Sequence, residues 1–197
     1  MRGRFPQAAL AAALALVCGQ AQAAWLDRCT TARLVASWKH DGLWRTWQVH
    51  GRKTPDGHRL RYVGEVRAGG RTFRIYFDVN ANPETATHHG HHDLVVTTAG
   101  GTFLGLYDIS DLDAEPARTE GADILFPPRK DDSGQPYRDR IHFGPKGPPE
   151  EPPLLFGYDL AFSTPAEFRK YFPRFRPWPE PGPRIQAYCR RPRSDGR

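Results

Sequence analysis

Four of the chain's eight histidines fall within five consecutive positions, in the run His88-His89-Gly90-His91-His92-Asp93. The run leads straight into a hydrophobic stretch, Leu94 to Thr98, that reads as a strand. If that strand starts early, alternate residues share a face, with residues i and i+2 about 7 Å apart. His89, His91 and Asp93 then line one side, while His88 and His92 point to the other. Two neutral imidazoles and a carboxylate suit Zn²⁺ or another divalent transition metal and leave room for a bound water. Metal-bound water acidified to a pKa near 7 is the starting point of metal-dependent hydrolysis. The ligand set is incomplete from this face alone; His88, His92 and His142 are the alternates, and His50 is a further candidate elsewhere. The plainer alternative is a polar loop whose imidazoles titrate near 6.5 and sense pH.

Other chemistry-bearing spacings are weaker. Asp78, Asn80, Asn82 and Glu84 repeat the alternating oxygens of a calcium loop, but Pro83 stands where such a loop needs glycine and His89 where it needs glutamate. An Asn/Asp turn closing a strand explains them better. None of Ser37, Ser110, Ser133 and Ser194 lies in a Gly-x-Ser-x-Gly elbow, and Ser163 belongs to the start of a helix. Asp108, Asp111, Asp113 and Glu115 form an acidic loop that could supply paired carboxylates for glycoside hydrolysis. Trp38 and Trp44 flank a turn and have the composition of a sugar-stacking platform, although buried core packing is the commoner fate of tryptophan.

The elements that position these residues are mainly strands. Arg71 to Val79 alternates cleanly, with Phe73, Ile75, Phe77 and Val79 on one face and Thr72, Arg74, Tyr76 and Asp78 on the other. Leu60 to Arg67 precedes it through Ala68-Gly69-Gly70, and Leu94 to Thr98 joins Thr102 to Ile109 through Ala99-Gly100-Gly101. Arg33 to Trp38 and Leu43 to His50 read as a hairpin around His40-Asp41-Gly42. Shorter strands are expected at Asp123 to Phe126, Arg140 to Phe143 and Ile185 to Cys189, a longer one at Leu154 to Phe162, and a loop at Ser110 to Gly121. Thr164-Pro165-Ala166-Glu167 marks a helix start, with a capping threonine, proline in the first turn and glutamate three residues after the cap; Pro173 ends the helix. About ten strands joined by tight turns predict an all-β, mainly antiparallel, single-domain barrel or sandwich with one short C-terminal helix.

The N-terminus reads as an export signal. Arg2 and Arg4 precede the apolar run Ala8 to Val17, and Ala21-Gln22-Ala23 fits a small-residue cleavage site. The run of ten is too short for a membrane-spanning helix of about 20 residues. Residues 1–23 are therefore the expected signal peptide, 24–189 a single β-rich domain and 190–197 a flexible basic tail. Removing two arginines lowers the formal net charge from +6 to +4. The charges are interspersed along the chain, which argues against nucleic acid and leaves weak attraction to an anionic envelope polymer. Cys29 and Cys189 remain after export and should pair in an oxidising compartment, bringing the two ends of the domain together. The expected function is that of a periplasmic or secreted binding protein for an envelope protein or glycan, with the balance of motifs leaning away from an enzyme. The rival is a metal-dependent hydrolase or metal-binding protein built on the 88–93 histidines.

Overall fold

The computed structural model describes residues 24–40, 58–80, 91–110, 112, 115–116, 118–152, 154–155, 157–171 and 189. Its first element is a helix, α1 (Arg28–His40). Asp27 caps it: Oδ1 accepts from the backbone N–H groups of Cys29 at 2.9 Å and Thr30 at 3.0 Å, and Oδ2 accepts from the Thr30 hydroxyl. The Thr30 hydrogen bonds hold the Asp27 carboxyl below its ordinary pKa. The strand expected at Arg33 to Trp38 is thus overturned. Ala32, Val35 and Trp38 are buried at intervals of three, which is one stripe of a helix. The expected hairpin residues Asp41 and Gly42, and Leu43 to His50 beyond them, lie outside the described residues.

Four long strands follow: β1 (His58–Ala68), β2 (Arg71–Asn80), β3 (His91–Thr98) and β4 (Phe103–Asp108). Short strands come next: β5 (Arg118–Glu120), β6 (Asp123–Leu125), β7 (Arg129–Lys130), β8 (Pro136–Tyr137), β9 (Arg140–His142) and β10 (Phe162–Ser163). A second helix, α2 (Pro165–Tyr171), begins at the expected place. Thr164 and Glu167 form a reciprocal cap there: the Thr164 N–H donates to Glu167 Oε2 at 2.7 Å and the Glu167 N–H donates to Thr164 Oγ1 at 3.3 Å.

All strand pairs are antiparallel. The main sheet runs in the order β1-β2-β3-β4-β10 and is open, beside a three-stranded sheet β5-β6-β9 and the hairpin β7-β8. Among the described residues the sheets do not close into a barrel, and two helices stand where one was expected; Cys189, expected to end a terminal strand, is helical. β5 lies in the stretch read as a loop, and of the expected strand Leu154 to Phe162 only Phe162 joins the main sheet.

Both faces of the main sheet are covered. Phe73, Ile75 and Phe77 of β2, with Leu94, Val96 and Tyr107, pack against Ile124, Phe126, Ile141 and Phe143 of the smaller sheet and its flanks. The opposite face, with Leu60, Tyr76, Val95 and Leu106, packs against Val35 and Trp38 of α1. Two glycines permit close approaches. Gly64 sits at φ 150° beside an irregularity in β1, and a Cβ there would lie 2.1 Å from Thr119 Oγ1 of β5. At Gly105 a Cβ would meet Phe162 Cζ at 2.5 Å and the Ser163 carbonyl oxygen at 2.6 Å, so only glycine lets β10 dock on β4.

Cys29 and Cys189 form the expected disulfide, with Cα atoms 4.7 Å apart and 160 positions between them in sequence. Among the described residues no helix is long and apolar enough to cross a membrane. The expected leader, residues 1–23, lies outside the described residues.

Candidate functional site at one end of the main sheet

The start of β1, the end of β2, the start of β3 and the end of β4 meet at one end of the sheet. In register, Leu60, Asp78, Asp93 and Asp108 form one row across the four strands. The next row outward is His58, Asn80 and His91. Successive side chains of a strand alternate between faces, so the intervening positions Arg59, Val79 and His92 serve the other face. The sheet end therefore has two chemical sides, one acidic and one basic and aromatic.

The acidic side lies on the face covered by α1. The Asp78 side chain is 0% exposed, and its Oδ2 lies 2.8 Å from Nδ1 of His58, itself almost fully buried. The other oxygen, Oδ1, is buried with no hydrogen-bond partner. Directly opposite, Asp93 is also buried. Burial first, then the charges of Asp78 and Asp108, push its carboxyl well above the ordinary pKa. Asp108 is exposed and accepts from the Ser110 hydroxyl at 2.5 Å and the Ser110 N–H at 2.9 Å, while Ser110 Oγ accepts from the His92 N–H at 3.0 Å. Ser110 thereby ties the end of β4 to the start of β3.

The basic side centres on Trp25, which bridges to Arg61 beyond the edge of β1 and is 39% exposed. The Arg59 guanidinium lies 4.5 Å from the Trp25 ring centre, and that of Arg61 lies 5.3 Å from Phe77. Trp25 and Phe77 are 6.2 Å apart between centroids, and the His92 ring meets Phe77 edge-on at 5.6 Å. Arg61 is also held by Glu115 Oε2 at 3.0 Å and the Pro116 carbonyl at 2.9 Å. The result is an aromatic corner carrying two ordered guanidinium groups. Such groups on aromatic faces keep the planar fork that recognises carboxylates and phosphates.

The expected metal set is only partly within the described residues. His88 and His89 lie outside them, and His91 opens β3 opposite Asn80 with its side chain outside the description. Asp93 joins the acidic row, while His92 takes the opposite face, as strand alternation predicts. The alternate ligand His142 sits on β9 of the smaller sheet, its Nδ1 2.7 Å from Asp123 Oδ1. Among the described residues no group of three His, Cys, Asp or Glu side chains is arranged to hold a metal ion.

Trp38 is corrected as a ligand platform. It is 0% exposed and packs on Tyr76 at 5.3 Å and Phe103 at 6.5 Å, because its position on α1 aims it into the core. Trp44 lies outside the described residues. Asp78 does not act as the first ligand of a calcium loop, since its carboxyl is buried in the sheet against His58. From the acidic loop, Glu115 pairs with Arg61.

His58, Trp25 and Arg59 went unnoticed in the sequence as site residues. Their signal was available only through register, because each becomes special by what stands beside it across the strands. Comparison of the chain with protein-family models, curated proteins and solved structures finds no match.

Proposed function

We propose that this protein is an exported, non-enzymatic binding protein of the periplasm or extracellular space, and that its ligand is an acidic glycan of the cell envelope. The observation that carries this reading is the Trp25–Arg59 corner: an exposed indole with a guanidinium laid on it at 4.5 Å. A ring carboxylate of an acidic sugar suits the Arg59 fork, and the apolar face of the sugar suits the indole edge beside it. The Cys29–Cys189 disulfide is in keeping with an oxidising compartment, and the positive net charge, +6 for the full chain and +4 once Arg2 and Arg4 are removed with the leader, favours an anionic ligand. No observation among the described residues favours the rival metal-hydrolase reading.

Tryptophan fluorescence titrated with polygalacturonate, with dextran as the neutral control, tests the proposal. The native chain should bind the acidic polymer and ignore the neutral one. Arg59→Ala should weaken binding by at least about tenfold, the loss of one well-placed charged contact. Equal affinity for the two polymers, or an unchanged affinity in Arg59→Ala, would remove the corner from consideration.

A further inference from the structure

Behind the basic corner, the acidic row poses an electrostatic problem. Three aspartates stand side by side in register, and two of them, Asp78 and Asp93, are buried. Directly paired residues of neighbouring strands have Cα atoms only about 4.5–5.5 Å apart, so two ionised carboxylates there would repel strongly. The groups that could relieve this can be named strand by strand. From β1 comes His58, on Asp78 Oδ2. From β4 comes Asp108, which adds negative charge. One row inward, β1 and β2 contribute the phenols Tyr62 and Tyr76. From α1 and the turn before it, Leu26, Leu34, Val35 and Trp38 pack on this face and bring no charge, while Asp27 is engaged with Thr30. One buried atom, Asp78 Oδ1, still lacks a donor.

We propose that Asp78 and Asp93 share one proton in the folded protein, Asp93 donating to the unpartnered Oδ1 of Asp78 while His58 holds Oδ2. The pair is then an acid-tightened clasp between β2 and β3. A protonated Asp93 supplies the missing donor, removes one of two adjacent buried charges and leaves a single negative charge beside His58. The register pairs Asp78 of β2 with Asp93 of β3, on the same face of the sheet.

The consequence for stability has a definite sign. A carboxyl whose pKa is raised on folding binds its proton more tightly in the folded state than in the unfolded state. Its contribution is full below the unfolded value of about 3.9 and is lost as pH rises towards the raised folded value. Across that window one proton changes the unfolding constant by up to about tenfold per pH unit. The protein should grip hardest under mildly acidic conditions and loosen as the medium turns alkaline.

The test is chemical unfolding of the full chain from pH 4 to pH 9, native against Asp93→Asn, with infrared spectra of the carboxyl region. An asparagine amide donates to Asp78 Oδ1 at every pH, so Asp93→Asn should flatten the profile and hold its stability in alkali. The native protein should show a protonated-carboxyl infrared band persisting above the ordinary carboxylate range, and Asp93→Asn should lack it. The native spectrum alone decides the matter if that variant does not fold. Absence of the band near neutral pH, or an equally steep profile in Asp93→Asn, would overturn the shared proton. Glycan binding is not required for either readout, so this proposal and the binding reading can fail separately.

Discussion

Tyr107 shows how much a single polar atom matters in this core. Its ring packs against Phe162 at 4.8 Å and its hydroxyl donates to the Pro149 carbonyl at 2.7 Å, so burial raises the phenol's pKa. Tyr107→Phe keeps the ring but leaves that carbonyl without its donor. It should cost about 1–3 kcal/mol in urea unfolding, and a cost near zero would mean that water replaces the hydroxyl. At this scale strand alternation was enough to separate Asp93 from His92, because both positions depend only on a two-residue period. It could not reveal that Asp78 faces His58 at one oxygen and stands beside Asp93 on the next strand. Those partners lie 20 and 15 positions away in sequence, and only the register brings them together.

Registers are set by irregularities that one sequence does not display. Between β1 and β2 the pairing shifts between Tyr62 and Gly64, and between β3 and β4 it shifts between Val96 and Thr97. Counting outward from the Gly69-Gly70 turn without the first shift would place Asp78 opposite Arg61 instead of Leu60. The acidic row would then be set against the wrong face of β1. The elements themselves were more legible. β1 to β4 lie where alternation places them, and the Thr164–Glu167 cap marks α2 because its hydrogen bonds are local. α1 differs from the strand expected there because Arg33 to Trp38 is short enough to satisfy both periods, and the decisive signal is the cap at Asp27. Gly105→Ala tests how β10 is held. The added methyl would collide with Phe162 and the Ser163 carbonyl, so the variant should lose about 1–3 kcal/mol of stability, with increased hydrogen exchange at Ser163. Unchanged exchange there would show that β10 accommodates the methyl.

At the scale of the molecule, the disulfide joins the first turn of the helix that covers one face of the sheet to a residue 160 positions later. A crosslink over so long a loop restricts the unfolded chain strongly. Replacing both cysteines with serine should lower stability by about 2–5 kcal/mol, read from the urea midpoint, and a loss well below that would point to residual structure in the unfolded chain. The same crosslink fixes the start of α1 near Trp25, so its loss should weaken the ligand corner as well as the fold. The N-terminal pattern raised the expectation of export, the two remaining cysteines predicted the disulfide that forms, and the interspersed charges left only weak attraction to an anionic polymer. The place of contact did not show, because Trp25 and Arg59 are 34 positions apart and meet only when the chain before α1 pairs with β1. The most direct measurement is the affinity of Trp25→Ala and native protein for polygalacturonate, each at low and at physiological salt. The account predicts binding that weakens as salt rises and falls by at least about tenfold in the variant, while the urea midpoint changes little. Native-like, salt-insensitive binding by Trp25→Ala would contradict it.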